Sequence, residues 1–283
     1  MRKIGIMLIG LLALSGCSSK FAYNNIDWLV YWYVDDYVEL TNEQEDAFDA
    51  KVDRWLKWHR GEELQQYALH LQQIKKMATT TEITAEEIAE EFALGRTHWE
   101  RLRSELSPGL AQMAISLSDE QVVYFFAQLE KENKEEEEER REELEEKSEQ
   151  EILDDRVERV TEQVEEFIGK TNSSQRRLIR DFAPQFQSTY EYWLSYRRDV
   201  QQKARELFAT RENNPTFVEE LTTLMSNPDV YRSEEHIRLG EENALLYATM
   251  LSELQGTLTD KQKRRLNREV DGIIEDIEDL MDA

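Results

Sequence analysis

Cysteine is nearly absent from this sequence, because Cys17 is the only one among 283 residues. A single cysteine cannot form a disulfide bond within the chain, so the fold must be held together by an apolar core. Apolar residues make up 40% of the sequence. This content is enough to bury one large core or two small ones.

Positive charge is also scarce. The chain has 35 lysines and arginines against 60 aspartates and glutamates, which gives a formal net charge of −25. Such a protein is repelled by nucleic-acid phosphates and by anionic lipid headgroups. The charge balance therefore excludes nucleic acid as a partner.

Proline is rare, with 4 residues, and no stretch alternates apolar and polar residues as a strand would. Apolar residues instead recur three and four positions apart, which predicts an all-α fold. Pro108, Pro215 and Pro228 are expected in loops, and Pro184 is expected to kink or start a helix. The clearest periodic runs are Leu153, Val157, Val160, Val164 and Phe167, and Leu266, Val270, Ile273, Ile277 and Leu280.

The N-terminus has the pattern of a secretory signal. Arg2 and Lys3 precede a short apolar run, which ends in Leu14-Ser15-Gly16-Cys17. The run is too short to span a bilayer as a permanent helix. Its ending resembles the lipobox of bacterial lipoproteins, which implies removal of the signal peptide 1–16 and lipid attachment to Cys17. An ordinary signal peptide that happens to contain cysteine is the alternative.

The lipobox resemblance has two further implications. A lipidated Cys17 leaves no thiol for metal binding or nucleophilic catalysis. The next residue is Ser18, whereas Asp at that position is the common signal for retention in the inner membrane. We therefore expect an anchor in the outer membrane, with the protein facing the periplasm.

One pentapeptide is repeated along the chain. "LTNEQ" at 40–44 returns as "LSDEQ" at 117–121, as "LTDKQ" at 258–262 and, in weaker form, as "TNSSQ" at 171–175. A hydroxyl or amide side chain three residues before glutamine is a capping box, which marks the start of a helix. The predicted cap pairs are Thr41 with Gln44, Ser118 with Gln121, Asn172 with Gln175, and Thr259 with Gln262.

The order of the caps indicates an internal duplication. Two weaker boxes, Thr84 with Glu87 and Thr216 with Glu219, complete two ordered series of three caps. "WLKWHR" at 55–60 also resembles "WLSYRR" at 193–198. We predict two similar helical-bundle halves, N-terminal (17–129) and C-terminal (153–283), joined by a long acidic helix that includes the connector 130–152.

The acidic connector has no apolar residue from 130 to 143, so no face of it is expected to be buried. The simplest interpretation is a solvated helix stabilised by pairs such as Glu136 with Arg140. A helix continuous over 121–168 would act as a spacer. A disordered linker or a cation-binding tract is the alternative.

The motif L-[ST]-x-x-Q at helix starts resembles the LTxxQ-motif periplasmic chaperones of the Spy and CpxP type. That resemblance implies a curved helical protein that holds unfolded envelope proteins without ATP, with the two halves of this chain mimicking a dimer. The lipobox, "YNNIDWLVYWYVDDYVELTNEQ" at 23–44 and "WLKWHR" together resemble an uncharacterised family of Gram-negative outer-membrane lipoproteins, which implies no activity.

Catalytic and metal-binding motifs are missing. His59, His70, His98 and His236 fit neither H-E-x-x-H nor the E-x-x-H of di-iron bundles. Gly169-Lys170-Thr171 lacks the upstream glycine of a P-loop, and no G-x-S-x-G occurs. We therefore predict a protein that is not an enzyme and has neither cofactor nor metal; an enzyme or metal carrier ranks third among the alternatives.

The aromatic stretch "WLVYWYVDDY" at 28–37 allows two interpretations. Trp28, Leu29 and Trp32 could pack as the first core helix, with Asp35 and Asp36 facing water. Alternatively, the tryptophans rest at the membrane interface, because they follow Cys17 closely.

The repeated W-L-x-[WY]-[HR]-R motif is the candidate binding site. Core packing beneath an arginine stem is one interpretation, and a pseudo-symmetric aromatic and basic groove for a partner is the other. The residues concerned are Trp55, Trp58, His59, Arg60, Trp193, Tyr196, Arg197 and Arg198.

These features together predict a lipid-anchored periplasmic binding protein. Its partners would be the membrane, through lipidated Cys17, and envelope proteins or unfolded clients. The resemblance of the caps to the LTxxQ-motif proteins implies that it acts as a holding chaperone or envelope-stress factor. The alternative is a structural outer-membrane scaffold or assembly factor for one fixed protein partner.

Overall fold

The computed structural model describes Tyr23, residues 25–78, Thr80 and residues 82–282. The signal segment and Cys17 lie outside these residues. The described part of the chain is helical and contains no strand, so the predicted all-α fold is confirmed. None of the described helices has the length and apolar character needed to cross a membrane.

The α-helices range from 10 to 30 residues in length and follow one another closely. A π-helical turn, His59–Glu63, joins α2 to α3, and 3-10 turns follow α7 (Ala183–Gln185) and α9 (Pro228–Tyr231). In chain order the α-helices are α1 (Ile26–Asp35), α2 (Asn42–Trp58), α3 (Leu64–Ala78), α4 (Ala85–Ala114), α5 (Asp119–Glu146), α6 (Glu149–Ile168), α7 (Ser173–Phe182), α8 (Tyr190–Thr210), α9 (Phe217–Ser226), α10 (Glu234–Gly256) and α11 (Asp260–Asp282).

The capping boxes lie where the pentapeptides predict them. Thr41, Ser118 and Asn172 cap α2, α5 and α7, each with its glutamine bonded back to the cap backbone N–H. At α11, the Gln262 N–H donates to Thr259 Oγ1 at 3.3 Å, and the Thr259 N–H donates to Gln262 Oε1 at 3.1 Å. Glu87 completes the weaker box at the start of α4.

The box predicted for Thr216 with Glu219 is wrong. Thr216 makes no cap hydrogen bond, and its hydroxyl contacts Asn214 Oδ1 at 2.8 Å and Glu220 Oε1 at 2.6 Å instead. Its backbone has φ −101° and ψ 7°, whereas a capping residue needs an extended conformation to direct its side chain at the third N–H.

The four cap glutamines also pair across the fold. Gln44 and Gln121 form the N-terminal clasp, in which Gln44 Nε2 donates to Gln121 Oε1 at 3.1 Å and Gln121 Nε2 donates to Gln44 Oε1 at 2.7 Å. Gln175 and Gln262 form the C-terminal clasp, with both amide bonds at 3.0 Å. Each clasp therefore ties together two helix starts that are distant in sequence.

Each clasp amide uses its full hydrogen-bonding capacity. The second N–H of every Nε2 donates to the backbone carbonyl two residues before the partner's cap; these carbonyls belong to Ser116, Glu39, Thr257 and Lys170. Every Oε1 also accepts the N–H of its own cap. Because all donors and acceptors are satisfied, the glutamines can be buried without penalty; Gln175 is 0% exposed.

The two halves pack against each other rather than forming separate bundles. Helix α3 packs on α11, and α4 packs on α9 and α10. One core cluster combines Ala111 and Phe126 with Phe208 and Phe217, so both halves supply it. The duplication stays a prediction, supported by the identical bonding of the two clasps.

The acidic connector is not a continuous spacer. Helix α5 ends at Glu146, Lys147 is extended, and Ser148 caps α6 with Glu151. The expectation that 130–143 has no buried face is also wrong, because Asn133 is 1% exposed and its amide donates to Gln201 Oε1 at 2.6 Å. Polar side chains can be buried here because α8 supplies matching partners.

Two further expectations fail because local sequence does not reveal neighbouring helices. Pro108 lies inside α4 rather than in a loop. Trp28 and Trp32 are 64% and 53% exposed, so they are not core residues. Val30, Tyr31 and Val34 pack on the core instead, while Asp35 and Asp36 are exposed, as expected.

The C-terminal clasp gives a test of polar coupling. We expect Gln175→Ala to lower the free energy of unfolding by about 1–3 kcal/mol, because the buried Gln262 amide and two backbone groups lose partners. The double variant with Gln262→Ala should cost less than the sum of the single changes by about 0.5–3 kcal/mol. Urea unfolding measures both. Gln202→Ala, on the exposed face of α8, is the control for loss of a glutamine outside the clasp. Strictly additive effects of Gln175→Ala and Gln262→Ala would contradict a coupled clasp.

The contact of Gly109 with Trp55 gives a second test. A Cβ at Gly109 would lie 2.6 Å from Trp55 Cζ2, whereas nothing lies within 4 Å of one at Gly272. We expect Gly109→Ala to destabilise the protein by about 1–3 kcal/mol, and Gly272→Ala, inside α11, to stabilise it by about 0.5–1 kcal/mol. Thermal unfolding measures the change in stability caused by each variant. Equal changes for Gly109→Ala and Gly272→Ala would show that Trp55 moves freely to make room for the added methyl group.

Candidate functional site

The first copy of the repeated motif is mostly internal. Trp55 is buried beside Phe48 and Val52 and packs against α4. His59 Nδ1 lies 2.8 Å from the hydroxyl of Tyr23. The Arg60 guanidinium lies 5.3 Å from the centre of the Tyr23 ring. Trp58 is half-buried with its ring edge-on to His59.

The second copy faces other partners. Arg197 lies over the Trp193 ring at 4.3 Å and donates to Glu136 Oε2 at 2.6 Å. Arg198 pairs with Glu130 and Glu137, and Tyr196 lies 5.9 Å from the His236 ring. The structure therefore places the two copies in different surroundings, and the acidic helix α5 already engages both arginines of the second copy.

Trp193 lines a cleft of about 520 Å³. We call this site the aromatic–arginine cleft and define it by Arg140, Arg156, Phe186, Tyr190, Trp193 and Tyr247. Its walls come from α5, α6, α8, α10 and the segment between α7 and α8. Four aromatic rings and two guanidinium groups therefore meet at one opening in a strongly acidic protein.

The walls of the cleft are fixed by hydrogen bonds. Arg156 Nη1 donates to the carbonyls of Ala183 and Phe186, both at 3.0 Å. The backbone N–H of Gln187 donates to Asn243 Oδ1 at 3.0 Å, and Asn243 Nδ2 donates back to the Gln187 carbonyl at 2.8 Å. The segment that carries Phe186 is thus held in place before any ligand arrives, which lowers the entropic cost of binding.

The charges at the cleft are partly neutralised. Arg140 lies 5.6 Å from the Tyr190 ring centre and donates to Glu143 at 2.6 Å. Burial, with the charges of Glu136 and Glu137, raises the pKa of Tyr190, so its hydroxyl stays protonated. The cleft therefore offers ring faces, guanidinium groups and a neutral hydroxyl, which suit reversible binding of an apolar and anionic segment.

A second cluster of polar side chains was not predicted by any sequence motif. We call Glu91, His70, His98, Glu63 and Arg101 the histidine relay. His70 Nε2 lies 2.9 Å from Glu91 Oε2, His70 Nδ1 lies 2.9 Å from His98 Nε2, and His98 Nδ1 lies 3.0 Å from Glu63 Oε1. Arg101 donates to both oxygens of Glu63 at 2.8 Å and contacts His98 Nδ1.

One direction of donation connects Arg101, both rings and Glu91 when both rings are neutral. Arg101 donates to His98 Nδ1, His98 Nε2–H donates to His70 Nδ1, and His70 Nε2–H donates to the Glu91 carboxylate; this tautomer assignment follows from the hydrogen-bond partners. Glu63 is 2% exposed and lies in the π-helical turn, a feature frequent at functional sites. Burial is the main cause that lowers the pKa of His98.

Sequence motifs missed the relay because its members come from the π-turn, α3 and α4. One signal was present: Glu63 and His70 are seven residues apart, and so are Glu91 and His98. Seven residues span two helical turns, so each pair shares a face. Within the described ranges, no group of three or more histidine, cysteine, aspartate or glutamate residues is arranged to hold a metal ion.

The described residues thus define an all-α protein with a preformed aromatic cleft and a buried polar relay. The chain belongs to the family described as "Family of unknown function (DUF6279)", whose model matches residues 36–237. The match includes the relay, both repeated motifs and the N-terminal clasp. No curated protein and no solved structure significantly matches the chain.

The buried histidines predict how stability depends on pH. Burial lowers the pKa values of His59, His98 and His236 below their ordinary 6.5, so the unfolded chain binds protons that the folded chain excludes. The free energy of unfolding should therefore fall as pH drops below about 6.5, by up to about 1.4 kcal/mol per pH unit for each histidine.

Urea unfolding between pH 7.5 and pH 5.5 measures this slope before most carboxylates titrate. We expect His98→Gln to flatten it, because glutamine takes no proton in either state. The stability of this variant above pH 7 provides the reference, and an unchanged slope would contradict the role assigned to His98.

Proposed function

We propose that this chain is a lipid-anchored, non-enzymatic periplasmic protein that holds segments of envelope proteins in the aromatic–arginine cleft. The observation that carries the proposal is the cleft itself. Its rings are large contact surfaces that lose little conformational entropy on binding, and aromatic residues with arginine dominate binding energy at protein interfaces.

The charge of the protein supports selection of particular segments. The net charge of −25 repels acidic clients from most of the surface, whereas Arg140 and Arg156 give the cleft a local positive charge. A segment with an apolar side chain next to a carboxylate fits both features. The rings receive the apolar group, and the guanidinium groups receive the carboxylate.

The membrane attachment rests on two observations. The lipobox resemblance implies lipidation of Cys17 and an outer-membrane anchor that faces the periplasm. Trp28 and Trp32 are exposed on the same face of α1, eleven and fifteen residues after Cys17. Tryptophan favours the interface between water and lipid, so this pair is suited to rest on the bilayer beside the anchor.

The holding-chaperone version follows the resemblance of the caps to the LTxxQ-motif proteins. The second candidate is a scaffold or assembly factor for one fixed partner. It is favoured by the preformed walls of the cleft, because bonds from Arg156 and Asn243 hold the shape of the segment around Phe186. A fixed shape suits one partner better than many.

Site-directed crosslinking in cells tests the proposal and separates its two versions. A photoreactive phenylalanine analogue at position 186, in the full lipidated chain, should capture envelope proteins that the same analogue at the exposed position 123 does not. Many outer-membrane and periplasmic proteins, increasing under envelope stress, would indicate a holding chaperone. One dominant partner at fixed ratio would indicate a scaffold.

Substitution of the cleft provides the matched comparison. Trp193→Ala should reduce capture at position 186 at least about tenfold, because a ring that contributes about 2 kcal/mol or more is removed. Trp99→Ala, at a tryptophan 41% exposed on α4, should leave capture unchanged. Circular dichroism monitors the fold of both variants. Equal capture by both would refute the cleft as the binding site.

A further inference from the structure

A separate cavity of about 400 Å³ lies between α4 and the segment that joins α9 to α10. Arg96, Glu100 and Arg103 line it from one face of α4, since they are four and three residues apart. Ser104 lines it from the same helix, and the other side is lined by Asp229, Arg232, Ser226, Asn227 and Ile237. We call this cavity the arginine pocket.

The pocket is a positive site in a negative protein. Three arginines line it against two acids, Glu100 and Asp229, whereas the whole chain carries −25. Three positive and two negative side chains leave the recess with a charge of +1, and a locally positive recess concentrates anions. An anion that approaches this protein is therefore attracted to the pocket more than to most of its surface.

Asp229 occupies only part of the donor capacity of the two inner arginines. Arg103 Nη2 donates to Asp229 Oδ2 at 2.7 Å, and Arg232 Nη1 lies 4.0 Å from Asp229 Oδ1. The Nε atoms of Arg103 and Arg232 are buried and have no hydrogen-bond partner among the described residues. Because each guanidinium group carries five N–H donors, the hydrogen bond to Asp229 uses only a small part of the donor capacity of the two arginines.

The arginines are held in position before an anion binds. A Cβ on Gly240 would lie 3.1 Å from Arg232 Nη2, so the guanidinium rests against α10 where a larger residue would displace it. Asp229 links the Arg103 side chain on α4 to the 3-10 turn. Preorganised donors of this kind favour oxyanions with several acceptor oxygens.

We propose that the arginine pocket binds the oxyanion group of a small molecule, a phosphate or a carboxylate. The oxygens accept from the guanidinium groups of Arg103 and Arg232 that line the cavity, and Arg96 adds a third positive charge there. This site is distinct from the aromatic–arginine cleft, and its ligand does not depend on the proposed holding function.

Isothermal titration of the full chain with inorganic phosphate, and separately with succinate, tests the proposal. Saturable binding of one equivalent of either anion supports it, and the tighter one identifies the group. Arg103→Gln and Arg232→Gln should each weaken binding roughly tenfold, which corresponds to the loss of one charge-assisted hydrogen bond. Arg238→Gln removes the same charge from an exposed arginine that pairs with Glu235 and Glu242, and should leave binding unchanged.

Two further variants keep the test decisive if an arginine substitution disturbs folding. Asp229→Asn removes the competing carboxylate, so phosphate or succinate should bind more tightly even if the protein becomes less stable. Gly240→Ala keeps both arginines but displaces Arg232, so binding should weaken several-fold. No saturable binding of either anion, or weaker binding by Asp229→Asn, would overturn the proposal.

Discussion

The paired glutamine amides are the contact on which the rest of the fold depends. Each clasp holds two helix starts in register, because every amide group bonds both to the opposite amide and to the backbone of the opposite cap. Removing one partner would leave buried polar groups unsatisfied, so the arrangement is strongly cooperative. The N-terminal clasp fixes where α5 begins, and α5 carries Arg140 to the aromatic–arginine cleft. The C-terminal clasp fixes α7, whose end leads into the segment of Phe186.

Because positive charge is scarce in this protein, the position of each arginine shows where acidic side chains are neutralised and where positive charge is left at a cavity. Arg197 and Arg198 bond to Glu130, Glu136 and Glu137, so they anchor the acidic half of α5 along α8. These bonds explain why a run of glutamates forms part of a packed helix. Arg140 and Arg156 remain at one cavity, and Arg96, Arg103 and Arg232 at another. Five arginines are thereby gathered at two cavities of an acidic protein.

The sequence predicts features that depend on neighbouring residues in the chain. Helix starts belong to this class, because a cap and its glutamine lie within one turn; Thr216 fails because a local contact with Asn214 competes for its hydroxyl. Features that depend on packing between helices were not predictable. The spacing of Glu63 and His70 was visible, but nothing in the sequence placed Glu91 and His98 opposite them. The sequence likewise predicts that Trp28 is a core residue, whereas in the structure Val30 and Val34 occupy the core face of the helix.

A π-helical turn begins within the first repeated motif but not within the second. In the first motif, the turn at His59–Glu63 follows Trp58 directly. It places Trp55 against α4 while Glu63 and Leu64 are buried at the start of α3. The motif is therefore followed by a buried carboxylate, whose two oxygens accept hydrogen bonds from Arg101. In the second motif, α8 continues without interruption from Tyr190 to Thr210, so Trp193 stays beside the open cleft and Arg197 covers its ring. One sequence pattern thus lies next to an internal polar relay in one half and next to an open cleft in the other, and the helix that follows the motif differs between the two.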